Sequence, residues 1–394
     1  MRIDAHVHYT PPGLAEDLEA FSRQEPFWGL LLASGTGGQS VQGWATAERM
    51  LEDMDRAGID RVVLLGEYRQ KHAGCVARNR AALDIIRRWP DRVSAFAILQ
   101  PKAGQQALDE LKRCLDGGLC GVGELGPYGQ GYRVDDPDFL RLVEACIDAE
   151  IPLNLHVNEE IGHFYPGKAT TPLLHFYWLA CRYPKLKLIL AHWGGGLLFY
   201  EIMPEVRRNL ENVWYDMAGS PLLYPTDAIF RMALACVDHK KLLYGSDYPL
   251  LACPRKQPAP DFRPFIAEID ALGLDRTVYD DIMGRNAARL LGLPTEPVVE
   301  SAPQRRRHEQ LITEIVDPAG VAIGPLMTVS AVTQAWPETR PIFEAYNIPW
   351  QDSPAPYWEP IAQAAAARGW GPDAQDELLR ELNDASVTLS PCQV

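Results

Sequence analysis

Eight short apolar runs, each closed by turn residues and separated by helix-like stretches, constrain this chain more than any other feature. They are RIDAHVH (2–8), RVVLLG (61–66), VSAFAILQP (93–101), GVGELG (121–126), IPLNLHVN (151–158), LKLILAHWGG (186–195), VWYDMAG (213–219) and KLLYGSDYP (241–249). Runs of this kind alternating with helices predict strands buried on both faces of a parallel sheet, joined by right-handed crossovers. After the second run the starts recur at about thirty residues, the span of one strand–helix unit. Eight such units predict an α/β chain folded as a closed (β/α)8 TIM barrel, in preference to an open doubly wound sheet. Between the runs, ARNRAALDIIRRWPDR (77–92) reads as a helix stopped by a proline, and DPDFLRLVEACIDAE (136–150) as one opened by Asp136 and Pro137. A helix at about 277–292 closes the ring. The first connection, residues 9–60, is the long one; with Trp28, Gly35, Gly37, Gly38 and Trp44 it reads as a loop or lid over the mouth.

The barrel therefore spans residues 1–293. PTEPVVESAPQRRRHEQ (294–310), rich in proline and charge, reads as a linker, and residues 311–388 as a small all-helical C-terminal unit. At about 80 residues that unit is near the lower limit for independent stability.

His6 and His8 lie two apart on the first predicted strand, so both imidazoles share a face and reach one ion. A His-x-His pair alone says little. Its weight comes from the other runs: His156 ends the fifth, His192 the sixth and Asp247 the eighth. Those ends converge on one rim of a barrel, where active sites of this fold lie. Three histidines and a carboxylate suit Zn²⁺, Mn²⁺ or Fe²⁺.

The motifs IDAHVH, NLHVN, ILAHWGG and YGSDYP resemble those of the amidohydrolase superfamily over residues 1–293. They are most similar to the branch holding amino-carboxymuconate-semialdehyde decarboxylase, other aromatic-acid decarboxylases and lactone hydrolases. The resemblance implies that His6, His8, His156 and Asp247 are metal ligands and that His192 is the catalytic histidine of the sixth strand. An ion with an open position activates water near neutral pH. Asp247 is then placed to accept a proton. His192 either hydrogen-bonds the substrate carbonyl, orients the water, or is a further ligand.

Glu124 ends the fourth run. Hydrolytic members of the superfamily often carry a metal-bridging carboxylate at this rim position, and the decarboxylases of the similar branch lack it. Glu124 therefore points to hydrolysis and to a second ion, so one or two ions are expected, Zn before Mn. The alternative is a rim glutamate held in a salt bridge. Rim loops supply the expected substrate contacts: Arg69 after the second run, and His163, Tyr165 and Lys168 after the fifth. Trp193, in the tight WGGG turn beside His192, is expected to line the pocket.

Net charge bears on partners. With 38 Lys and Arg against 52 Asp and Glu, the chain carries −14 and repels phosphate backbones, so no nucleic-acid partner is expected. None of the 8 cysteines forms a Cys-x-x-Cys pair, which reads as buried thiols in a reducing compartment. No apolar run approaches the ~18 residues of a membrane span, and no signal pattern precedes the first strand. A cytoplasmic enzyme acting on a small molecule is expected. The similar branch implies a homodimer.

The stretch from MTVSAVTQAWPETRPIFEAYNIPW to DELLRELNDA (327–388) resembles a small helical domain appended to hybrid-cluster and iron–sulfur-repair proteins. That family places a cysteine after a Y-G-I turn; Tyr346-Asn347-Ile348-Pro349-Trp350 has none, so the unit is read as a packing or dimerisation module. Three functions remain in view. The first is a metal-dependent hydrolase of an amide, lactone or related cyclic C–N or C–O bond, carried by Glu124. The second is a metal-dependent non-oxidative decarboxylase of an aromatic or unsaturated acid, carried by the family branch. The third is a non-enzymatic metal-binding or assembly protein, carried by the extra helical unit.

Overall fold

The computed structural model describes residues 1–11, 14, 17–32, 41–162, 164–165, 167–169, 171–254, 256–294, 322–325, 327–348, 350, 361–366, 368 and 370–387. Gly35, Gly37, Gly38, His163 and the expected linker beyond residue 294 lie outside them. The chain divides into two compact units, Met1–Val298 and Val299–Val394.

In the first unit every apolar run contains one strand: β1 Ile3–Val7, β2 Arg61–Leu64, β3 Val93–Ala95, β4 Val122–Leu125, β5 Leu153–Leu155, β6 Leu188–Leu190, β7 Val213–Asp216 and β8 Leu242–Leu243. Neighbours pair in parallel, in the order β1-β2-β3 and β4-β5-β6-β7-β8. Backbone hydrogen bonds stitch the two arcs into a ring. The Ala97 N–H donates to Gly121 O (2.8 Å) and the Gly123 N–H to Ala97 O (2.8 Å). At the other seam the Ala5 N–H donates to Tyr244 O (2.8 Å), the Asp247 N–H to His6 O (3.0 Å) and the His8 N–H to Tyr248 O (2.6 Å). This is the expected (β/α)8 barrel, with strands of two to five residues.

Between β1 and β2 the structure departs from the expected loop. Leu18–Gln24, Pro26–Leu32 and Ala47–Ala57 are helices. Thr46 caps the last through its side chain, and Gly58 ends it in the left-handed conformation that glycine adopts without a Cβ clash. Met50, Leu51, Met54 and Ala57 recur at helical spacing and are buried in the main core. Each large side chain so buried stabilises by about 1.5–3 kcal/mol. This helix is the first outer helix of the barrel; only the part of 9–60 before it lies outside the barrel's own helices.

The other helices follow the pattern closely. His72–Arg88 ends at Trp89, just ahead of Pro90, and Pro137–Asp148 starts after Asp136, whose carboxylate accepts from the Asp138 N–H. The closing segment is helical from Arg276 to Leu290 with a wider π turn at Asp281–Arg285. Its Ala287, Ala288 and Leu290 pack with Ile3, Val63, Ile189 and Leu243 of β1, β2, β6 and β8.

The second unit has helices Val329–Ala335, Arg340–Ala345, Ile361–Ala366 and Pro372–Val387. Its own core gathers Val332, Trp336, Phe343, Ile361, Leu378 and Leu382. Among the described residues no helix is long and apolar enough to cross a membrane.

Candidate metal centre

The strand ends bring His6, His8, Glu124, His156, His192 and Asp247 to one place. Each histidine hands one ring nitrogen to an acceptor outside the cluster and turns the other inward. His8 Nδ1 donates to Leu65 O (3.1 Å) and His192 Nδ1 to Ala218 O (2.9 Å). His6 Nδ1 faces the Asp216 carboxylate at 2.9 Å, and His156 Nε2 the Asn158 side-chain carbonyl at 3.2 Å. Carbonyls and carboxylates accept only, so these contacts set the tautomers. The inward nitrogens then meet in pairs: His6 Nε2 and His8 Nε2 at 3.1 Å, His156 Nδ1 and His192 Nε2 at 3.1 Å.

Glu124 stands between the pairs with one oxygen for each. Oε1 is 2.6 Å from His156 Nδ1 and 3.3 Å from His192 Nε2; Oε2 is 3.4 Å from His6 Nε2 and 3.8 Å from His8 Nε2. Asp247 Oδ1 adds to the first pair, 3.4 Å from His8 Nε2 and 3.8 Å from His6 Nε2. Two sets of donor atoms thus lie close enough to hold an ion each: His6, His8 and Glu124, and Glu124, His156 and His192. Two lone pairs 3.1 Å apart repel unless a cation or a proton lies between them. The mixed N/O donor set fits Zn²⁺ or Mn²⁺.

The backbone that presents these groups is locally unusual. His192, Trp193 and Asp247 have φ of 57°, 58° and 66°, a left-handed conformation that costs a non-glycine residue roughly 1–3 kcal/mol. At Gly123 φ is 132°, and a Cβ there would meet Asn154 O at 2.5 Å, so glycine alone lets β4 place Glu124. Asp216, at the end of β7, holds the floor. Its carboxylate accepts from His6 Nδ1, Asn154 Nδ2 (3.0 Å), the His192 N–H (3.1 Å) and the Ala218 N–H (3.1 Å), and it is fully buried.

Without an ion, protons hold the cluster together. Burial opposes charge on His6, Glu124, His192 and Asp247. For His6 the Asp216 and Glu124 carboxylates overcome it and hold the imidazole well above its ordinary range. For His192 burial is overcome by Glu124 and Asp247, which lift it to about 9. Against burial, His156 and His6 hold Glu124 well below the usual carboxylate range. Asp247 is lowered to about 2 against its burial by the His8 hydrogen bond and the charges of His6 and His192. Asp4 goes the other way, pushed by burial to about 7.

These directions fix the pH response of the chelated protein. The His6 and His192 imidazoles stabilise fully below their unfolded value of 6.5, and that contribution is lost as the pH rises, through about 9 for His192. Asp4, raised in the fold, loses its contribution between 3.8 and about 7. Asp247 contributes above 3.8 and is lost as the pH falls through about 2. In EDTA the melting temperature should therefore peak in weak acid and fall steadily towards pH 9. Divalent ions, which compete with these protons, should reverse the slope above neutrality. A flat EDTA curve through the imidazole range would contradict this.

Other expected site residues fall differently. Arg69 is buried; its guanidinium stacks 4.6 Å over Phe21 and lies 3.4 Å from Glu67, which also takes Arg78 at 2.6 Å. Lys168 is paired with Glu159 at 2.6 Å. Tyr165 accepts from Asn158 Nδ2 at 2.9 Å. Trp193 is a correction: expected to line the pocket, it has no exposed surface. Its Nε1–H donates to Ser220 Oγ (2.9 Å) and its ring packs on Phe230. The left-handed backbone at 192–193 carries the indole into the core instead of the opening. Asp216 and Asn158 were not anticipated. Asn158 ends the run NLHVN and Asp216 ends β7 within VWYDMAG, and those positions were their signal.

Comparison with known proteins agrees with this architecture. A family model described as Amidohydrolase matches residues 3–293. A curated relative, 2-amino-3-carboxymuconate-6-semialdehyde decarboxylase of Dictyostelium discoideum, is 22% identical over 247 residues, 55% of this chain and 65% of its own length. The chain thus spans just under two thirds of that relative. A 5-carboxyvanillate decarboxylase of Novosphingobium aromaticivorans, solved with manganese, superposes with a TM-score of 0.57 at 15% identity over 74% of this chain and 96% of its own. A 4-oxalomesaconate hydratase of Rhodopseudomonas palustris gives a TM-score of 0.50 at 17% identity over 74% and 96%.

Proposed function

This chain belongs to the amidohydrolase family, and from that premise we propose that it is a metal-dependent hydrolase cleaving an amide, lactone or related cyclic C–N or C–O bond in a small molecule. The observation that carries the reading is Glu124, buried between two histidine pairs with one oxygen turned to each. His6, His8, Asp247 and Glu124 would hold one ion; Glu124, His156 and His192 a second. Bound there, a divalent ion supplies Lewis acidity, polarising a carbonyl oxygen and acidifying water. The chain's own groups do the rest. Asp247, ionised and at the rim, accepts the proton of the attacking water and returns it to the leaving atom. Asp216, Leu65, Ala218 and Asn158 keep the inward ring nitrogens free of protons, and the buried floor keeps bulk water on the open side only.

A second reading, a non-oxidative decarboxylase of an aromatic or unsaturated acid, is favoured by the curated relative and by the manganese-containing neighbour. In that reaction His192, not held by a second ion, would be free to protonate the carbon that loses CO₂.

Elemental analysis of the purified protein beside the His156→Ala variant separates them. The hydrolase reading expects about two equivalents of Zn or Mn per chain, at most about one in the variant, and water-consuming turnover of amides or lactones. About one equivalent with CO₂ release from aromatic acids would favour the decarboxylase. No metal, and no activation by added Zn²⁺ or Mn²⁺, would overturn both.

A further inference from the structure

The loop after β5 is tied to the centre through one side chain. Asn158 Oδ1 accepts from the Ala169 N–H at 2.8 Å and faces His156 Nε2 at 3.2 Å. A backbone N–H is a donor only, so that contact fixes which end of the Asn158 amide is oxygen. The nitrogen end therefore donates to the Tyr165 phenol oxygen at 2.9 Å. The phenol accepts in this bond and keeps its own proton. Among the described residues no acceptor takes that proton. Asn158, which touches both Tyr165 and His156, places the phenol beside the centre. Burial, with the Glu159 carboxylate next and Asp247 and Glu124 behind it, raises the phenol to about 12, so it stays a neutral donor throughout the working range.

We propose that Tyr165 donates a hydrogen bond to the oxygen that becomes negative at the reacting carbon of the substrate, and that Asn158 is the positioning residue that turns its O–H that way. Tyr165 is thereby a catalytic residue and Asn158 acts through it. This rests on the metal-dependent reading above. The substrate class narrows accordingly to acyl or lactone carbonyls whose addition product carries a tetrahedral oxyanion.

Exchange of Asn158 for aspartate tests the direction of the bond. The carboxylate still accepts from Ala169 and His156, but it has nothing to donate, so the Tyr165 proton turns back to it and is lost to the substrate. Methylphosphonate, a tetrahedral oxyanion, serves as probe for the metal-loaded enzyme by titration calorimetry. A charge-assisted hydrogen bond is worth enough to make binding about tenfold or more weaker in Tyr165→Phe, with metal content unchanged. Asn158→Asp should weaken it similarly, and the double variant should be little worse than Tyr165→Phe, because both changes remove one interaction. Additive losses would assign Asn158→Asp to its added charge and overturn the positioning role. Binding unchanged in Tyr165→Phe, or no methylphosphonate binding by the loaded wild type, would overturn the donor. Failure of the wild type to load metal would instead overturn the reading beneath it.

Discussion

Asp247→Asn should lower kcat about a thousandfold, within the 10²–10⁴ range of general acid–base groups, and leave the fold intact. The replacement is isosteric. It preserves the Asp247 N–H bond to His6 O that belongs to the barrel seam, and an amide oxygen still stands where Oδ1 lies 3.4 Å from His8 Nε2. What disappears is a carboxylate held ionised by its histidine neighbours and able to take a proton. Loss in kcat with KM little changed marks an interaction made only in the transition state. Steady-state kinetics on the first amide, lactone or carboxylic acid found to turn over, alongside metal content, measure this. Turnover within tenfold of wild type would remove Asp247 from proton transfer.

The largest effect on stability is expected at a residue that faces away from substrate. Asp216→Ala leaves four buried donors without an acceptor: His6 Nδ1, Asn154 Nδ2 and the backbone N–H groups of His192 and Ala218. Removing one partner of a buried charged network costs about 3–5 kcal/mol. In a unit of this size that corresponds to a fall of roughly 10 °C in melting temperature. It also releases the tautomer of His6, and loss of such an outer partner weakens metal binding about 10–100-fold. Thermal melts of the chelated and loaded variant separate the two effects. A variant that melts with the wild type in EDTA would mean that water replaces the carboxylate and that the floor is not sealed.

Much of this was written plainly in the chain. The eight strands were legible because buried parallel strands carry unbroken apolar runs. The six groups at their ends were legible because the ends of such strands share one rim. The helix at Ala47–Ala57 was hidden by its surroundings: glycines and tryptophans upstream suggested an irregular lid, although Thr46, Gly58 and the Met50, Met54, Ala57 spacing signalled a capped amphipathic helix. Trp193 misled because an aromatic beside a ligand looks like a pocket wall, and nothing local announces a left-handed φ at two consecutive non-glycine residues. Arg69 looked like a substrate contact because Phe21, over which its guanidinium stacks, comes from a distant segment. Asp216 was overlooked because a carboxylate that faces histidines from behind has the same sequence signature as one that faces an ion.

The seam between β1 and β8 also sets an order of events. Ala5, His6 and His8 leave the ribosome some 240 residues ahead of their backbone partners Tyr244, Asp247 and Tyr248. Until then the first strand is paired on its β2 side alone, and Asp247 has not yet joined its two imidazoles. Long-range pairing of this kind comes late, because loop closure must precede its reward. The candidate ion-binding set is thus complete only once the two ends of the barrel meet, and capture of a metal by the nascent protein would serve as a clock for ring closure.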